Sequence, residues 1–162
     1  MKLGVVGSRL KSWKNPSGAK EFVFKKLDTI HAKTPISKVV SGEEVTGADR
    51  FGKEWALSRL GTKGYEPHPP DLELAAKYGY DKFNRYSPQS RKAYGVAAYT
   101  RNKTIIDNSD KVVAFWDGKS RGTANSIQYS IQRGIPGQII AQPGASSSLI
   151  KSSLEKIKKG EW

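Results

Sequence analysis

SDKVVAFWDGKSRGT, residues Ser109 to Thr123, is the stretch whose reading decides the fold. Val112 to Phe115 is a short apolar run with no polar face, the pattern of a strand buried on both sides. Asp117-Gly118 is a turn dipeptide. Gly122-Thr123 then opens a segment with Ala124, Ile127 and Ile131 at helical spacing. Strand, glycine-containing loop and helix start therefore stand in register. The first amides of a helix lack backbone partners and lie at the positive end of its dipole, so this connection suits an anion such as a phosphate. An ordinary strand-to-helix connection has the same pattern, so other loops must reach the same spot for it to be a site.

Working outward, the same unit recurs. Lys2 to Val6 predicts a buried first strand feeding Gly7-Ser8-Arg9, where Gly7 allows close backbone approach, Ser8 offers a hydroxyl and Arg9 a planar fork of donors. A helix follows from Ser17 or Gly18 to about Ala32, with Ala19, Phe22, Val23, Leu27 and Ile30 facing inward. Ile36 to Ser41 is the second strand, ending in the loop Gly42-Glu43-Glu44-Val45-Thr46-Gly47. A helix from Ala48 through Leu60 carries Phe51, Trp55 and Ala56 toward the core, and Asp49 is placed to cap it. Thr62 to Glu66 predicts a short third strand. Downstream of the opening stretch, Gln138 to Ala141 is a fifth strand, and Ser146 to Ser148 caps a last helix with Ile150, Leu154 and Ile157 inward.

Between the third and fourth strands the composition changes. Asp71 to Asn102 holds five of the seven tyrosines, Tyr78, Tyr80, Tyr86, Tyr94 and Tyr99, interleaved with lysines and arginines. Such a segment can stack bases and hold phosphates, or simply be a packed insertion with a solvated face. A helix is predicted from Tyr94 to Asp107, with Arg101 and Asn102 near its middle.

The 162 residues make one domain, and 36% hydrophobic residues is enough for a single core. The absence of cysteine removes disulfides, thiolate nucleophiles and cysteine zinc sites together. His31 and His68 are far apart, which argues against a histidine metal site or a serine-histidine triad. The N-terminal apolar run is too short for a signal peptide and no stretch approaches a membrane span, so a cytoplasmic protein is expected. A formal net charge of +13 favours anionic partners: nucleotides, nucleic acid or an acidic protein.

Repeated strand, loop and helix predict an α/β, Rossmann-like open parallel sheet of about five strands in the order 3-2-1-4-5, with helices on both faces. In such a sheet the ligand site lies at the carboxyl ends of the strands, where the order reverses. That topology brings Gly7-Ser8-Arg9 beside Asp117 to Thr123, with Gly42 to Asp49 as the next wall.

The set GSR, SGEEVTGADRFGKEWA, TRNKTIIDNSDKVVAFWDGKSRGT and RGIP resembles the YspA-type, cpYpsA-related branch of the SLOG superfamily over most of Lys2 to Ile140. The resemblance implies a Rossmann-like sheet and leaves out the carboxyl-terminal twenty residues; with it the chain is expected to be a single Rossmann-like SLOG domain over 1–162, with a basic, tyrosine-rich insertion at 71–100 and a C-terminal helix at 146–159 read from the residues. It also implies a site for nucleotides or nucleotide-derived ligands and a bacterial or phage setting. By motif position, Gly7, Ser8, Arg9, Gly42, Gly47, Asp49, Arg101, Asn102, Gly118, Gly122 and Thr123 carry over as the pocket, with Ser120 and Arg121 beside them. Some relatives are lysine-decarboxylase-like phosphoribohydrolases. These have a glutamate three residues after the threonine of their Gly-Thr pair, where this chain has Ser126.

Three functions follow as expectations. The first is capture of a phosphate-bearing nucleotide without turnover, by a sensor or sequestering protein. The second is hydrolysis or transfer at an N-glycosidic bond, for which Glu43, Glu44 and Asp117 are the candidate catalytic carboxylates. The third is single-stranded nucleic-acid binding through the insertion, with affinity that falls steeply as salt rises. No cofactor, metal or membrane partner is expected, and a homo-oligomer is.

Overall fold

The apolar runs read as strands do form one sheet. The computed structural model describes residues 1–161 and contains β1 (Lys2–Gly7), α1 (Ala19–Lys33), β2 (Lys38–Ser41), α2 (Ala48–Arg59), β3 (Tyr65–Pro67), α3 (Leu72–Lys77), α4 (Pro88–Asp107), β4 (Lys111–Trp116), α5 (Arg121–Gln132), β5 (Gly137–Ala141) and α6 (Ser147–Lys158). The five strands are all parallel in the order β3-β2-β1-β4-β5, as the sequence predicts.

Successive strand residues point to opposite faces, and here both faces are covered. Leu3, Val5, Val39, Val113 and Phe115 pack under α1 and α2, together with Trp55 and Ala56. Val6, Val40, Val112, Ala114 and Trp116 pack under α4, α5 and α6, with Ile105, Ile127 and Ile150. Every strand residue from Val112 to Trp116 is buried, which is why that run reads as continuous rather than alternating. Among the described residues no helix is long and apolar enough to cross a membrane.

Several boundaries differ from the sequence reading, each for a local reason. The α4 helix begins at Pro88 rather than Tyr94, because Ser87 caps it by accepting from Ser90 N and Pro88 occupies its first turn. The β2 strand begins at Lys38 rather than Ile36, whose amide donates to His31 Nδ1 at the end of α1. Thr62–Gly64 is a 3₁₀ turn, which leaves β3 only three residues. Ile131, placed inward by spacing, is 46% exposed on the outer flank of α5. Asp49 does not cap α2: Gly47 is the N-cap residue, and Asp49 stands within the first turn with its carboxylate directed elsewhere.

Candidate functional site

At the carboxyl ends of β1 and β4, where the strand order reverses, the surface opens into a cleft of about 300 Å³. The loop after β1 supplies Ser8, Arg9 and Lys11. The loop after β2 and the start of α2 supply Glu44 and Asp49, and the start of α5 supplies Ser120, Gly122 and Thr123. The fourth wall is α4, with Arg91, Tyr94, Tyr99, Arg101 and Asn102.

The first two loops are locked together from below. Trp13 is buried and donates its indole N–H to Ser8 O at 3.1 Å, and its ring packs against Phe22 and Phe115. Leu10 N donates to Thr46 Oγ1, and Ala48 N to Ser8 O. These bonds set Ser8 and Arg9 against the start of α2. Trp13 carries no signal in the sequence, because it belongs to no periodic segment.

The charged floor is built on Arg101, which is 7% exposed. Its Nη1 donates to Gly42 O, its Nη2 to Glu44 Oε1 at 3.1 Å and its Nε to Asn102 Oδ1 at 3.0 Å. Arg9 Nε donates to the other carboxylate oxygen of Glu44 at 3.2 Å. Glu44 is thus held between two guanidinium groups. Asp49 lies beside Arg101 and accepts from Glu44 N at 3.3 Å. Burial pushes the Asp49 carboxyl up to about 6, against the pull of the Arg101 charge; the neighbouring Glu44 charge adds to the rise.

Two polar features of the cleft lack partners among the described residues. Ser8 is 5% exposed, and its Oγ is buried with no hydrogen bond. A buried hydroxyl left unpaired costs about 1–3 kcal/mol, which a ligand atom or water recovers. The α5 helix has no side-chain cap: its first intrahelical bond runs from Ala124 N to Ser120 O, so the amides of Arg121, Gly122 and Thr123 have no intrahelical acceptor. A Cβ built on Gly122 meets nothing within 4 Å, so this glycine keeps the cleft mouth of α5 open.

Gly7, Gly42 and Gly47 answer to packing. A Cβ on Gly7 would lie 2.6 Å from Ala48 Cβ and 2.8 Å from Phe115 O. On Gly42 it would lie 2.5 Å from Arg101 Nη1 and 2.8 Å from the Asp49 carboxylate. Gly47 has φ 81° and would run into Ser8 O. Gly7, Gly42 and Gly47 therefore mark where loops and side chains crowd under the cleft, whereas Gly95 and Gly122 open onto free space in it.

Of the candidate residues, the cleft brings together Gly7, Ser8, Arg9, Glu44, Asp49, Arg101, Asn102, Ser120, Gly122 and Thr123. Gly42, Gly47, Gly118, Arg121, Glu43 and Asp117 do not line it. Asp117 Oδ1 accepts from Lys119 N at 2.8 Å and Ser120 N at 2.9 Å, closing the turn before α5. Gly118, with φ 84°, packs against Ile150 at the start of α6, and its carbonyl accepts from Ser153 Oγ. Glu43 has a left-handed φ of 62°, which turns its side chain away from the cleft to Tyr65 and Lys53. The Tyr65 hydroxyl, and after it Lys53, hold its carboxyl below the usual range. Sequence reasoning missed Lys11, Ser12, Arg91, Tyr94, Gly95, Tyr99 and Ser126 as lining residues. The α4 residues among them share one helical face, and the signal was the Ser87-Pro88 helix start, which extends α4 back to Arg91.

An all-parallel sheet with a polar cleft at its switch point defines a Rossmann-like α/β protein. Residues 14–74 match the family model described as YspA, cpYpsA-related SLOG family, so this part of the chain is similar to that family. The matched segment runs from the loop before α1 into α3 and includes Gly42 to Asp49, whereas Ser8, Arg9, Arg101 and the start of α5 lie outside it. It carries no link to lysine-decarboxylase-like phosphoribohydrolases. No curated protein and no solved structure matches the chain.

Proposed function

We propose that this cleft captures a phosphate-bearing nucleotide or nucleotide-derived signal, as a sensor or sequestering protein. The observation that carries the reading is the unpartnered Ser8 Oγ in the same cleft as the uncapped start of α5. The phosphate sits at the α5 amides and Ser8, with Arg9 and Lys11 as counter-charges. Tyr94 and Tyr99 form the wall for a base, and Asp49 accepts from sugar hydroxyls. A volume of about 300 Å³ lies at the lower end of the roughly 300–1,000 Å³ range of small-molecule sites, which suits one nucleotide. A single helix end contributes only about 0.3–1 kcal/mol, so affinity requires the cations and the serine acting with it.

The match of residues 14–74 to the SLOG family model supports a nucleotide-related ligand in general terms. Turnover at an N-glycosidic bond has one observation in its favour, the raised Asp49 carboxyl in the cleft, which is suited to proton transfer near neutral pH. Glu44 is a poor nucleophile, since both its oxygens accept from arginines.

Heat-denaturing the purified protein and analysing the supernatant by mass spectrometry is expected to release a phosphorylated nucleotide. Gly122→Val is expected to abolish that capture while leaving the melting temperature close to wild type, because a Cβ at this position meets nothing within 4 Å. No released nucleotide, together with flat thermal shifts across a nucleoside monophosphate panel, would overturn the reading. Free base appearing from that panel, and lost in Asp49→Asn, would replace capture with hydrolysis.

A further inference from the structure

Outside the cleft, the most exposed aromatic rings among the described residues gather on the connection between α3 and α4. Phe83 is 89% exposed, Tyr86 67% and Tyr78 58%. The connection does not use these rings to hold its shape. Asp81 N donates to Ser90 Oγ, Phe83 N to Asp81 Oδ1, Asn84 N to Asp81 O and Ser87 N to Asn84 O, so the turn is built from backbone and short polar side chains.

Cations accompany the rings. Lys82 Nζ lies 5.1 Å from the centre of the Phe83 ring, and the guanidinium groups of Arg85 and Arg91 lie 4.9 and 5.9 Å from that of Tyr86. Residues 77–92 hold five basic side chains and one acid, Asp81, whose carboxylate already accepts from Phe83 N. Arg91 also lines the cleft, as does the part-exposed Tyr99, so the aromatic face and the cleft share an edge.

We propose that this face binds single-stranded nucleic acid, with bases stacking on Phe83 and Tyr86 and phosphates held by Arg85, Arg91 and Lys92, along a track that reaches the cleft at Arg91. The chemistry favours this partner over others. An acidic protein segment needs the cations but gives no role to rings exposed beside them. A duplex presents phosphates but keeps its bases stacked on one another. An anionic membrane surface favours a continuous apolar face, whereas these rings alternate with charges. A single strand offers both a phosphate row and free base faces, and stacking tolerates any sequence.

The test is fluorescence anisotropy of the full chain with a labelled oligothymidylate of about 12 nucleotides that carries no terminal phosphate. Competitors are the matching duplex, inorganic polyphosphate and phosphatidylserine vesicles. Saturable binding that weakens steeply with salt is expected. Phe83→Ala combined with Tyr86→Ala is expected to weaken it at least about tenfold with an unchanged melting temperature, since both rings are exposed. Arg9→Ala, which removes a cleft cation, is expected to weaken nucleoside monophosphate binding and leave most of the strand affinity, so failure here is separable from failure of the cleft reading. The proposal is overturned by absence of strand binding at low salt, by an unchanged affinity in the double variant, or by any of the three competitors matching the unlabelled strand.

Discussion

Replacing Asp49 by Asn changes the pH dependence of stability in a direction the cleft dictates. The carboxyl has an ordinary value of 3.8 and is pushed up to about 6 in the folded chain, first by burial. Between those two values the native state binds more protons than the unfolded state, so this group makes stability fall as pH rises through the window. At about 1.4 kcal/mol per pH unit, the full cost above pH 6 is about 3 kcal/mol. Other carboxylates act oppositely: Asp28, held low by Arg59, and Glu43, held low by Tyr65, lose their stabilising contribution as pH falls. The difference between wild type and Asp49→Asn isolates the one group, because the amide has no proton to lose. Urea melts at steps from about pH 4 to pH 8 are expected to show the variant gaining on wild type up to about pH 6 and holding a constant lead beyond it. For a chain of this size that lead corresponds to roughly 6–12 °C in melting temperature. Stability differences that stay parallel across the range, or a wild type that gains on the variant, would refute the assignment of a buried, raised carboxyl.

Ser8→Ala removes an unpaired buried hydroxyl, so the fold is expected to hold or gain up to about 1 kcal/mol in melts, while nucleoside monophosphate affinity measured by calorimetry falls about tenfold or more. Glu44→Gln weakens a carboxylate that competes with ligand for Arg9 and Arg101, and is expected to tighten monophosphate binding several-fold in the same titration. Glu43→Gln is expected to lower the melting temperature through Tyr65 and Lys53 and to leave ligand affinity unchanged.

The strand order and the position of the cleft were legible because they follow from chain-wide regularities. Apolar runs too short for helices, separated by helical segments, dictate parallel strands, and the right-handed return of each unit puts the reversal between β1 and β4. Side-chain direction in loops was not legible. Glu43 and Glu44 are neighbours with the same chemistry, yet one left-handed backbone angle sends Glu43 to Tyr65 and leaves Glu44 between Arg9 and Arg101. Such choices depend on partners 22 to 57 residues away in the chain. Glycines misled for a related reason: Gly7 and Gly42 look like ligand cradles in the sequence, but their missing side chains make room for Ala48 and for Arg101.

The central claim is that the cleft recognises a phosphate at the start of α5 through Ser8 and Arg9. Calorimetric titration of the wild-type chain with a nucleoside monophosphate, and then with the corresponding nucleoside, tests it most directly. The monophosphate is expected to bind with one site per chain, and the nucleoside at least about thirtyfold more weakly, as the loss of a charge-assisted hydrogen bond of roughly 2 kcal/mol requires. Equal binding of the two, or binding of neither by any nucleotide of the panel, would contradict it.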